Sequence, residues 1–303
     1  MSRAAIEIDH VTKLYGDEMA LDDVSLQVHA GQICGFLGPN GAGKTTAIRL
    51  LFDLIRPTSG SCSVLGFDCQ TQGVEARRHM GYLPGELRLY DGYTGREMIE
   101  LFAAMKRDAG SVGFALQVCD RLQLDPTRKA GSYSKGNKQK LGLVLSLMHR
   151  PEVLILDEPT SGLDPLVQEE VELLLRELAA AGSTVFFSSH VLSEVERLCH
   201  RVAILRRGRL VAVEDVGNLK GRSLHVIEVT FAQPVPEHAF DLPGVQELRR
   251  DGELVHLQVR SNLDAALKAI ARYRVVDLRT EQPSLEDVFL AYYVDAVKPE
   301  EGP

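Results

Sequence analysis

The sequence predicts an α/β fold built on a mostly parallel sheet, with a small α+β domain at the C-terminal end. Three observations carry this. "VLILD" and "TVFFSSH" are β-rich apolar runs, and the helical stretch "PLVQEEVELLLRELAAAG" lies between them. Upstream, "GQICGFLG" reads as a buried strand and "TTAIRLLFDLI" as the helix after it. Strand, helix, strand, helix gives parallel strands with helices on the sheet faces. Near the end, Asp251-Gly252 joins two alternating runs, which is a strong hairpin signal.

Taken in order, Ala5–Ile8 and Val24–Val28 alternate apolar and polar residues and read as strands of an exposed sheet. Ala47, Ile48, Leu50, Leu51, Leu54 and Ile55 then recur at helical spacing, and Pro57 ends that helix. Residues from about 94 to 150 read as helical. Thr94 and Glu97 have capping-box spacing ahead of "MIELFAAM", and Leu141 to Met148 carry the stripe of a later helix. Gly182 closes the helix that comes after "VLILD". "VGNLKGRS" at 216–223 reads as a linker. Beyond it come a strand at Leu224–Thr230, the hairpin, the amphipathic helix "NLDAALKAIARY", a helix in "PSLEDVFLAYY", and a disordered tail in "KPEEGP".

The 303 residues suffice for one large domain and a small one, read here as 1–220 and 221–303. A formal net charge of -8 argues against a protein whose main task is binding nucleic acid, since phosphate contacts need clustered positive charge. The five cysteines are scattered without a Cys-x-x-Cys pair, so neither a disulfide framework nor a zinc site is implied. The N-terminus lacks the apolar core of a signal peptide, and no uncharged apolar run approaches the roughly 18 residues of a membrane span. The expectation is a cytoplasmic chain that meets a membrane only through a partner.

"GPNGAGKT", Gly38 to Thr45, fits G-x-x-x-x-G-K-[ST] at every fixed position, after a strand and at the start of a helix. Gly41 and Gly43 let the backbone curl so that N–H groups face a phosphate, and the helix N-terminus adds positive potential. Pro39, Asn40, Ala42 and Thr46 complete the loop's contact surface. Lys44 reaches the β- and γ-phosphates, and the Thr45 hydroxyl can ligate Mg²⁺. "VLILDE" supplies the other half of the site. Asp157 and Glu158 project from the C-terminal end of a strand, the edge where open parallel sheets bind ligands. Asp157 is the candidate metal residue. Glu158 is the candidate base that polarises a water for attack on the γ-phosphate.

One stretch stays open on these grounds. "GSYSKGNKQKLGLVLSLMHR" holds Lys135, Lys138, Lys140 and Arg150, with no acidic residue between Asp125 and Glu152. Taken alone, it reads equally as a basic patch, a solvated helix start or a phosphate site.

Several motifs in a fixed order resemble the ATP-binding subunits of ABC transporters, of the bacterial exporter or multidrug-resistance type. "SYSKGNKQK" is similar to the family signature LSGGQ in its Ser-Lys-Gly form, and "SGLD" at 161–164 is similar to the D-loop. His190 in "SSHVLSEVE" resembles the switch histidine, and Tyr15 the aromatic that stacks on adenine. The resemblance covers residues 1 to about 220. It implies a P-loop NTPase fold with an N-terminal antiparallel β subdomain and a helical subdomain at about 86–150. It also implies ATP and Mg²⁺ as ligands, and hydrolysis served by Lys44, Glu158 and His190. A second ABC ATPase subunit, expected as an identical copy in a homodimer with a homologous subunit as the alternative, would close over the bound ATP with Ser134, Gly136 and Asn137. A separate multi-spanning permease would hold the pair at the inner face of the membrane.

One departure bears on the metal. The family has a glutamine after "GYLP", whereas this chain has Gly85 there and Glu86 next. Either Glu86 stands in for the metal or water contact, or nothing does. The competing reading is a soluble ATPase of the same type that drives a non-transport machine. Against it, the chain has a single phosphate loop and no coiled-coil or zinc insertion.

Overall fold

A computed structural model describes residues 4–217, 225–259 and 262–281, and these fall into two units, Met1–Asp215 and Val216–Pro303. The first unit begins with two long strands, β1 (Ala4–Tyr15) and β2 (Glu18–His29). They pair antiparallel with each other, and with β4 (Ser59–Val64) and β5 (Phe67–Asp68) form a sheet in the order β2-β1-β4-β5. Both opening strands run well beyond the alternating tetrads and pentads visible in sequence. Their bulges at Ile8/Val11 and Val11/Lys13 break the strict period of two while the pairing continues.

The second sheet holds β3 (Ile33–Leu37), β6 (Met80–Leu83), β7 (Val153–Asp157), β8 (Thr184–Ser189), β9 (Arg201–Arg206) and β10 (Arg209–Asp215). Its order is β10-β9-β3-β8-β7-β6. All neighbours are parallel except β10, which returns antiparallel along β9. Every residue of β3, β7 and β8 is buried, as expected for parallel strands covered on both faces. One apolar core joins this sheet to the antiparallel one. It includes Phe36, Ile48, Leu51, Ile155 and Phe186.

The helices of this unit are α1 (Lys44–Leu51), α2 (Gly73–Arg78), α3 (Gly95–Lys106), α4 (Ser111–Arg121), α5 (Lys135–Leu147), α6 (Pro165–Ala180) and α7 (Leu192–Leu198). Thr94 and Glu97 form the expected reciprocal capping box at the start of α3. Gly182, at φ 106°, turns the chain out of α6 as its place in the sequence suggests. Two readings are corrected. The helix expected to run to Pro57 stops at Leu51, because Asp53 adopts a left-handed φ of 52°, a conformation Asp tolerates better than most residues. The stretch from 94 to 150 is not continuously helical. Left-handed Arg107 and Gln123 come after α3 and α4, and only a short 3₁₀ turn at Ala130–Ser132 precedes α5.

In the second unit, β11 (His225–Phe231), β12 (Val245–Asp251), β13 (Leu254–Val259) and β14 (Val275–Glu281) form an antiparallel sheet in the order β12-β13-β11-β14. The hairpin expected at Asp251-Gly252 joins β12 to β13, with Asp251 opposite Leu254 and Gly252 at φ 61°. Helix α8 (Leu263–Ile270) contributes Ala266, Ala269 and Ile270 to this unit's own core, alongside Phe231 and Phe240. The helix expected in "PSLEDVFLAYY" and the tail lie outside the described residues.

Candidate nucleotide site

The site is built where β3, β8 and β7 end side by side. The strand register sets Leu37 beside Ser189 and Asp157 beside Ser188, so the segments after these strands emerge together. After β3 the chain enters the loop Gly38–Gly43. Gly41 (φ 79°) and Gly43 (φ 108°) both need the left-handed region that glycine enters without cost. A Cβ on Gly43 would also stand 2.5 Å from the Ala20 carbonyl oxygen. The loop then delivers Lys44 as the first residue of α1.

Lys44 is 6% exposed, and its ammonium donates to the carbonyls of Gly38 at 2.7 Å and Pro39 at 3.1 Å. Burial lowers its pKa, while the charges of Glu158 and Asp157 oppose that shift. The Thr45 hydroxyl donates to Asp157 Oδ2 at 2.9 Å. The other carboxylate oxygen, Oδ1, accepts from the buried Ser188 hydroxyl. That same Ser188 oxygen accepts the Glu158 N–H at 3.1 Å.

Glu158 has φ 50°, a left-handed conformation uncommon for a side chain of this kind. It is held on both backbone sides. Ser188 takes its N–H, and Gln139 on α5 donates from Nε2 to the carbonyls of Glu158 and Pro159, each at 3.1 Å. Its carboxylate Oε1 lies 3.1 Å from His190 Nδ1. His190 and Glu158, 32 residues apart in sequence, therefore meet directly.

A concave surface is lined by Tyr15, Glu18, Met19, Ala20, the loop from Asn40 to Thr46, and Glu158. Tyr15 is half-exposed at its edge, and the Lys13 ammonium lies 5.0 Å from its ring centre. Ser134, Gly136 and Asn137 do not join this surface. Ser134 is the exposed N-cap of α5, and its hydroxyl accepts the Asn137 N–H at 3.2 Å. Gly136 passes so close to Gly162 that a Cβ would stand 3.0 Å from the Gly162 carbonyl oxygen.

Glu86 is exposed and lines a groove with Gly85, Arg88, Tyr133, Lys135 and Gln139. The Gly85 backbone instead approaches the metal candidate. A Cβ there would lie 2.9 Å from Asp157 Oδ2.

Sequence reasoning missed Ser188, Gln139, Thr160 and Glu194. Thr160 Oγ1 donates to Glu194 Oε1 at 2.6 Å, and Ser189 Oγ donates to Glu194 Oε2 at 2.8 Å. The available signal was position alone, since Ser188 and Ser189 sit just before His190 and Glu194 lies four residues after it.

The chain is similar to known proteins over most of its length. The ABC transporter family profile matches residues 21–161. The bacitracin transport ATP-binding protein of Bacillus licheniformis is 33% identical over 306 residues, which cover 94% of this chain and 96% of that protein. The chain belongs to the ABC transporter ATP-binding family. The daunorubicin resistance ATP-binding protein DrrA2 of Streptomyces coeruleorubidus is 35% identical over 308 residues, covering 96% of this chain and 95% of its own length. Among solved structures, an ATP-binding subunit of an ABC transporter superposes with a TM-score of 0.67 at 28% identity, over 72% of this chain and 92% of that one. As an ABC ATPase, this chain binds and hydrolyses ATP. The basic stretch forms the start of α5, with Ser134 as its N-cap.

Proposed function

We propose that this ATPase powers export of a substrate through a separate multi-spanning permease. Two copies would close on two ATP molecules at the cytoplasmic face of the membrane. Relatives named for bacitracin transport, Nod factor export and daunorubicin resistance match it almost end to end, which supports the export reading. Among the described residues no helix is long and apolar enough to cross a membrane, and the proposal assigns the pathway to another chain. The placement of Ser134 outside the phosphate-loop surface supports a second copy, whose signature helix N-terminus would complete the γ-phosphate contacts.

The observation that carries the hydrolytic roles is the 3.1 Å contact between His190 and Glu158 beside the phosphate loop. Lys44 exchanges the Gly38 and Pro39 carbonyls for the β- and γ-phosphate oxygens. Glu158 takes a proton from the attacking water as its oxygen bonds to the γ-phosphorus, and the bond to the β-phosphate oxygen breaks to release ADP. His190 orients that carboxylate. The Thr45 hydroxyl and the Asp157 carboxylate form an all-oxygen pair that fits Mg²⁺. Bound there, Mg²⁺ would neutralise charge on the phosphate oxygens. Tyr15, at the rim, stacks on the adenine.

The test purifies tagged protein from gently solubilised native membranes and compares wild type with Glu158→Gln. A multi-spanning chain recovered in comparable amount with both, and turnover lost only in the variant, is the expected result. Recovery of ribosomal or DNA-associated partners alone would replace export with another load. Full turnover in Glu158→Gln would remove Glu158 from its role.

A further inference from the structure

Glu194 is a carboxylate on the first turn of α7 that does not face water. It is 7% exposed. A buried charge of this kind is costly unless it is well hydrogen-bonded. Here each oxygen has its own donor, Thr160 for Oε1 and Ser189 for Oε2. Ser189 Oγ also accepts the Val191 N–H at 2.9 Å, and its own hydrogen has Glu194 at 2.8 Å as a much nearer acceptor than the Val191 carbonyl at 3.4 Å.

The two donors are not arbitrary parts of the core. Thr160 comes after Glu158 with only Pro159 between them, and proline fixes its own φ. Ser189 immediately precedes His190. One rigid carboxylate therefore spans the segment after β7 that carries Glu158 and the segment after β8 that carries His190. Those are the two side chains that meet at 3.1 Å.

We infer that Glu194 is a positioning residue that sets the Glu158 segment against the His190 segment for hydrolysis. It does not line the surface beside the phosphate loop. The inference rests on the roles proposed above for Glu158 and His190. Its physical basis is that a misplacement of about 1 Å in a reacting group can lower a rate by up to about 10²-fold without weakening binding.

Glutamine at this position isolates the effect. It has the same shape, but its amide offers one acceptor oxygen and two donor hydrogens. Thr160 and Ser189 cannot then both donate to a carboxylate: one hydroxyl must turn to accept from the amide, so both bonds lose their charge assistance while the packing volume stays constant. The Thr160→Val change releases the Thr160 end of the link and takes away the donor to Glu194 Oε1.

The experiment measures steady-state ATP turnover and thermal unfolding of the full chain for Glu194→Gln, Thr160→Val and the double variant, with Glu158→Gln as reference. The expected result for Glu194→Gln is kcat reduced about tenfold, KM for ATP within twofold of wild type, and an unfolding midpoint little changed. Thr160→Val should lose severalfold in kcat, again at constant KM. The double variant should be no slower than the slower single variant, because both changes act on the same link.

Wild-type kcat in Glu194→Gln overturns the inference, as does a double variant whose losses multiply. If Glu194→Gln fails to fold, Thr160→Val decides alone, and unchanged kcat there overturns the inference too. The Glu158→Gln reference separates the two levels. Turnover persisting in it removes the role on which this inference depends. Its loss, with Glu194→Gln fully active, removes only the inference.

Discussion

A Cβ built on Gly85 would stand 2.9 Å from Asp157 Oδ2 and 3.2 Å from Asp157 Cγ. Real side chains do not approach a fixed carboxylate that closely, so either the loop or Asp157 would have to move. Asp157 is not free to do so, since Thr45 and Ser188 hold its two oxygens. The absent glutamine is thus a consequence of backbone proximity: at this position the chain comes too near the carboxylate to carry a side chain in place. Gly85→Gln is expected to lower ATP turnover about tenfold and to raise the Mg²⁺ concentration needed for half-maximal rate, by disturbing Asp157. Glu86→Ala is expected to leave both within twofold, because the Glu86 side chain is exposed on the groove beside Gly85. A Mg²⁺ titration of the two purified variants checks both outcomes. A Gly85→Gln protein with wild-type Mg²⁺ dependence would show that the loop gives way without cost.

Among the elements, the helix starts were legible in sequence and several helix ends were not. Thr94 and Glu97 announce the start of α3 because a capping box is a local device, completed within four residues. Its loss should be correspondingly local. Thr94→Ala removes the acceptor of the Glu97 N–H and one donor to Glu97 Oε2, at a cost of about 1 kcal/mol. For a unit of this size that lowers the unfolding midpoint by roughly 2–4 °C, measurable by circular dichroism. The stops at Asp53, Arg107 and Gln123 had no such signal, since each is a non-glycine residue whose left-handed conformation is set by the path the chain must take to its next element. The site divides in the same way. The phosphate loop is contiguous and could be read directly, and so could Asp157-Glu158. Ser188, Gln139 and Glu194 could not, because they reach the Glu158 segment across 30, 19 and 34 residues. Their partnerships depend on β8 lying between β3 and β7 and on the packing of α5 and α7, which sequence spacing does not encode.

At the scale of the whole molecule, the cysteines connect the folding of the first unit to pH. All five are free and buried. Cys34 lies in β3, Cys62 in β4, and Cys69 just after β5, so they sample both sheets. Burial pushes each of these three thiols from 9.0 up to about 12, because a thiolate loses its hydration in the core. A pKa raised by folding means that the native state holds its proton more tightly than the unfolded chain does. The stabilisation is therefore complete below pH 9 and is lost as pH rises toward 12. By pH 10 the loss is on the order of 1 kcal/mol per thiol. Urea unfolding at pH 8 and pH 10 should show a fall in stability that becomes smaller in Cys34→Ala, where one of these groups no longer titrates. A fall of equal size in wild type and Cys34→Ala would mean that this thiol ionises as readily in the fold as in the unfolded chain, and that the core around β3 admits water.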